Sequence, residues 1–97
     1  MKILALEKEV PGIDPARFQP LLKPEARQVW ALYQAGVIRE MYFREDCHQA
    51  VLVLECASTE GARQALASLP LVAQGLIGFE IISLVAYPGL ARLFAES

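Results

Sequence analysis

The run LPLVAQGLIGFEIISLVAYP, from Leu69 to Pro88, carries a single charge, Glu80, in twenty residues. That is the length of a membrane-crossing helix. Its interruptions decide against one. Pro70 stops the helix that precedes it, and Gln74, Gly75 and Gly78 break the next stretch into a loop. What remains, Phe79 to Tyr87, reads as a strand. Its aliphatic residues Ile81, Ile82, Leu84, Val85 and Ala86 occupy both parities of a period-two repeat, so the strand is expected to be covered on both faces.

The rest of the chain supplies the partners for that strand. Lys2 to Lys8 reads as a first strand, closed by a turn at Pro11-Gly12. Asp14 before Pro15 signals a short helical piece that Pro20 ends. Pro24 is placed at the first position of a long helix, with Gly36 closing it and Ala26, Val29, Trp30 and Tyr33 as its buried stripe. Val37 to Arg44 and Gln49 to Cys56 are rich in β-branched and aromatic residues and read as a hairpin joined by Glu45–His48. Ser58 caps a second helix with Ala62, Ala65, Leu66 and Leu69 inward.

The order β-α-β-β-α-β predicts an α+β, ferredoxin-like fold: a four-stranded antiparallel sheet with both helices on one face. A chain of 97 residues suits a single domain spanning 1–97. Its hydrophobic share of 55% exceeds the usual 45–50% or so. The helices cover one sheet face only, so a second copy is expected on the other. The predicted assembly is a homodimer or a ring of dimers.

Pairing Arg44 with Gln49 sorts the hairpin into two faces. Val37, Arg39, Met41 and Phe43 lie with Ala50, Leu52, Leu54 and Cys56 under the helices; Arg39 is the misfit there. Ile38, Glu40, Tyr42 and Arg44 lie with Gln49, Val51, Val53 and Glu55 on the open face. A one-residue slip would exchange the faces. The open face has two readings. One is a solvated ladder or interface rim. The other is a pocket, where a carboxylate moves a proton beside a phenol and an arginine holds an anion.

Other polar residues divide similarly. His48 is a turn histidine or a base with only Glu45 and Asp46 near it. Cys47 is a turn thiol and Cys56 a core residue. Glu25 lies in the first turn of its helix, where the dipole favours a carboxylate. Glu80, among apolar residues, calls for a partner or a raised pKa.

Several classes are set aside. A net charge of −2 without a basic run disfavours nucleic acid and anionic membranes. The open sheet face offers one aromatic, Tyr42, too few for stacking RNA bases. One histidine and two separated cysteines make no standard zinc site, so no metal is expected. No secretory pattern follows Met1-Lys2, which points to a reducing, cytoplasmic setting.

The segments KPEARQVWALYQAGVIREMYFR and ALASLPLVAQGLIGFEIISLVAYPG resemble the muconolactone isomerase family, from about Asp14 to Pro88. LPL followed by FEIISLVAYP is the most specific part. The resemblance implies a dimeric α/β barrel, two sheets packed face to face, and a double-bond shift by proton transfer without metal or cofactor. It carries the family's acid to Glu25, its arginine to Arg39 and its aromatic to Tyr42. It departs at Glu40, where the isomerase has histidine, and at Ala50, where it has asparagine. The expected site therefore comprises Glu25, Glu40 and Tyr42 for catalysis, with Arg39 or Arg44 holding a small lactone or oxo acid. The competing expectation is a binding or assembly module on the same barrel.

Overall fold

The computed structural model describes residues 1–95. Its strands are β1 (Lys2–Glu9), β2 (Ile38–Phe43), β3 (Ala50–Glu55) and β4 (Ile77–Leu84). Its helices are α1 (Leu22–Gln34), α2 (Thr59–Ala67) and the short α3 (Pro70–Ala73). The strands form one antiparallel sheet in the order β2-β3-β1-β4. This is the expected ferredoxin-like arrangement, with β1 and β3 at the centre.

The core lies between the helices and one sheet face. Ile3, Ala5, Leu52 and Leu54 from the central strands meet Ala62, Leu66 and Leu69. The expected stripe of α2 is thus the inward one, and Ser58 caps this helix by accepting a hydrogen bond from the Gly61 N–H at 3.0 Å.

Four boundaries differ from expectation. Helix α1 begins at Leu22, so Pro24 is its third residue; the first four N–H groups of a helix have no internal partner, and proline loses nothing there. Pro20 lies within a second 3-10 turn, Gln19–Leu21, and does not end the preceding piece. Pro70 stops α2 and opens α3. Strand β4 spans Ile77–Leu84 because β1 continues to Glu9 and pairs it with Ile77, while Lys2 opposite Leu84 ends the ladder. Val85 to Tyr87 run beyond any strand partner among the described residues.

Helix α1 is rotated from its expected setting. Val29 and Leu32 pack against the core, while Trp30 and Tyr33 are 55% and 44% exposed. The helix has no fully buried residue, because a cavity separates its first half from the sheet.

The hairpin register holds as far as Glu40. Phe43 faces Ala50, Met41 faces Leu52 and Tyr42 faces Val51, but Ile38 faces Leu54. Arg39 is the extra residue of a bulge. The bulge turns Ile38 into the core, where it is 1% exposed, and corrects its expected place on the open face. It also resolves the misfit at Arg39. Instead of pointing a charge at the core, Arg39 donates from Nε to the Gly36 carbonyl at 2.7 Å.

Gly36 itself has φ +79°, and a methyl there would meet only the Arg39 guanidinium, at 3.9 Å. The cost of Gly36→Ala is therefore confined to the backbone, about 1–2 kcal/mol. Equilibrium urea unfolding should show that loss with an unchanged m-value.

The opposite sheet face has no cover among the described residues. Leu4, Leu6, Val51, Val53 and Ile82 are half-buried on it. The segment beyond β4, including a 3-10 turn at Pro88–Phe94, stands clear of the body. Its Val85, Tyr87, Leu90, Leu93 and Phe94 are 92%, 73%, 63%, 76% and 85% exposed. The radius of gyration, 16.3 Å, exceeds the roughly 12–13 Å of a compact chain this long.

Candidate functional site

The large cavity of the molecule, about 660 Å³, lies between α1 and the helix-covered face of the sheet. Its walls are mostly apolar. Ile13 and Phe18 close one side, Leu22 of α1 and Leu71 of α3 another, and Leu52, Ile77 and Phe79 form the sheet floor. Such walls displace water and strengthen every charge interaction within them.

Two of the three carboxylates that line this space, Glu25 and Glu7, come from opposite sides. Glu25 sits one turn into α1, on the face that also carries Val29 and Leu32. Its Oε1 accepts from the Leu71 N–H at 2.9 Å, an amide of the first turn of α3 that has no partner within that helix. Glu7 comes from β1, and its Oε1 accepts from the Ala50 N–H at 3.0 Å. Burial pushes the Glu25 carboxyl above the usual 4.5; the Leu71 amide opposes this and the Glu7 charge adds to it. Desolvation and a like charge both favour the protonated form. A raised carboxyl pKa is the direction that general acid–base chemistry favours.

The hairpin loop supplies the remaining polar lining. Cys47, His48 and Gln49 reach the cavity mouth. His48 stacks on Phe43 with ring centroids 4.2 Å apart, so this turn residue is part of the lining. The Cys47 thiol donates to the Gln49 Oε1 at 3.6 Å, which leaves the Gln49 amide nitrogen directed to no partner among the described residues. Nothing in the residue pattern singled out Glu7 or Gln49. The available signal was that Glu7 shares parity with the buried Ile3 and Ala5.

The other expected site residues lie elsewhere. Glu40 and Tyr42 share the open sheet face, as anticipated, and the phenol donates to the Glu40 Oε1 at 2.9 Å. That bond raises the phenol's pKa. Arg44 is engaged by Asp46 in the hairpin, through Nε to Oδ1 at 2.8 Å and Nη2 to Oδ2 at 2.5 Å. Arg39 is held at the helix end. None of these four lines the cavity, so the structure brings neither Glu40, Tyr42 nor the arginines together with Glu25. Glu80 is exposed and has a partner in Lys8, 4.0 Å away. Cys56 packs against the core, and burial pushes its thiol pKa up.

Among the described residues no group of three or more His, Cys, Asp or Glu is arranged to hold a metal ion. No described helix is long and apolar enough to cross a membrane.

No protein-family profile matches the chain, and no curated protein matches it in sequence. Among solved structures, the crystal structure of muconolactone isomerase at 3.3 Å resolution is similar, with a TM-score of 0.74. The likeness covers 91% of this chain and 92% of that one, at 22% sequence identity. The shared property is the fold, a four-stranded antiparallel sheet with helices on one face, as the sequence resemblance implied.

Proposed function

We propose that this chain is a cofactor-free isomerase that moves a proton on a small lactone or oxo acid, with Glu25 as the shuttle. The observation that carries this reading is the Glu25 carboxyl, raised in pKa inside a cavity of about 660 Å³ with apolar walls. The ionised carboxyl takes a proton from a carbon next to the carbonyl. The C–H electron pair passes into an enolate, and the same carboxyl returns the proton at the far end of the conjugated system. His48 and the Gln49 amide, at the cavity mouth, are the donors proposed for the enolate oxygen. The fold likeness to muconolactone isomerase supports the reading.

The working form is proposed to be a homodimer of single-domain chains, packed sheet to sheet. Glu40, Tyr42 and Arg44 then form the rim of that interface. Two free cysteines, Cys47 and Cys56, suit a reducing, cytoplasmic compartment.

The second reading is a binding module on the same barrel. What favours it is that the expected arginines and phenol lie off the cavity. Deuterium incorporation into unsaturated five-membered lactones and 3-oxo acids in heavy water separates the two. Enzyme-dependent exchange at the carbon next to the carbonyl is expected. Ligand binding without exchange in either class would leave the binding module.

A further inference from the structure

Three carboxylates, Glu7, Glu9 and Glu25, line the cavity, and no lysine or arginine does. Glu7 and Glu25 each commit one oxygen to a backbone N–H, and no described group hydrogen-bonds the other oxygen. Arg44 is engaged by Asp46, Arg39 by the Gly36 carbonyl and Lys8 lies beside Glu80, and none of the three lines the cavity. Apart from Cys47, His48 and Gln49, the remaining wall is aliphatic and aromatic. An anion entering here loses its water, meets like charge and finds no paired donor such as a guanidinium supplies.

We infer that the cavity selects an uncharged carbonyl compound, an unsaturated lactone or enone without a free carboxylate. The inference rests on the proton-transfer reading of the same site and narrows its substrate class. An ester or unsubstituted lactone satisfies the polar mouth through Gln49 and His48, and buries its ring against Phe18, Leu71 and Phe79. The carboxylates then exclude anionic competitors by repulsion, which is the repulsive half of specificity.

The probe pair is an unsaturated five-membered lactone bearing a carboxymethyl arm and its methyl ester, which share a ring and differ in charge. Calorimetric titration of the intact protein at pH 8 and low salt should show the ester binding at least about tenfold more tightly, or about 1.4 kcal/mol. Glu7→Gln combined with Glu9→Gln should close most of that gap without disturbing β1, since the amide oxygen that replaces the Glu7 carboxylate can still accept from the Ala50 N–H. Equal or tighter binding of the acid overturns the inference, as does a gap that the double substitution leaves unchanged. If the ester binds preferentially but neither probe exchanges deuterium, the isomerase reading fails and the selectivity stands. If the acid binds preferentially and exchanges, the isomerase reading stands and the selectivity fails. Binding of neither probe overturns both.

Discussion

Glu25→Gln should remove deuterium exchange into a lactone substrate by about 10²–10⁴-fold, the usual contribution of a positioned acid–base group, while leaving the fold intact. The amide keeps the shape of the side chain, and its carbonyl can still accept from the Leu71 N–H. It removes only the titrating proton. The same substitution has a second readout. The Glu25 pKa is raised in the folded chain, chiefly by burial, so the native state binds more protons than the unfolded one in the interval above 4.5. Stability therefore falls as pH rises from that value through the raised pKa. The opposite slope, from Asp46 and Glu55 with lowered pKa values, is confined to pH below their ordinary values. Urea midpoints across pH should decline through the Glu25 interval in the parent and stay flatter in the variant. The variant should be the more stable of the two above that interval. Wild-type exchange in Glu25→Gln would remove Glu25 from the chemistry. An unaltered pH profile of stability would show that its environment does not perturb it.

Ile82→Lys should convert the proposed dimer to a monomer without unfolding it. Ile82 lies opposite Leu4 on the uncovered face, beside Leu6, Val51 and Val53. A lysine there is tolerable in one chain, where the face is open. Between two sheets the ammonium would be buried without a partner, at a cost of several kcal/mol. Its neighbour gives the control. Ile81 faces Ala5 on the helix side and packs against the core, so Ile81→Lys should lose the fold itself. Sedimentation velocity at micromolar protein, with circular dichroism in parallel, distinguishes the outcomes. A parent that sediments as a single chain would count against sheet-to-sheet assembly. The exposed segment from Val85 to Phe94 belongs to the same argument. Leu93→Asp should weaken association while leaving the sheet unaffected.

Some features of this protein follow from local chemistry, and these the residue order alone determines. Proline lacks an N–H, glycine tolerates positive φ and β-branched residues suit strands. Pro70, Gly36 and the hairpin sequence therefore mark the order of elements, and with it the sheet and the bare face. The Ser58 cap is local in the same sense. Which residue of a helix faces inward is not local. In α1 two overlapping stripes are apolar, and only packing against the sheet selected Val29 and Leu32 over Trp30 and Tyr33. The bulge at Arg39 is another tertiary choice. It keeps a guanidinium out of the core by slipping one residue, and a strict period of two cannot anticipate it. The candidate site shows the same division. Glu25 was legible from helix position and family resemblance. Its partner Glu7 was not, because the two are 18 residues apart and meet only when α1 crosses the sheet. Glu40, Tyr42 and Arg44 do share a face, as alternation requires, but the cavity opens on the other side of the sheet. Periodicity sorts side chains by face; where space remains between layers is decided by how the helices lie on the sheet.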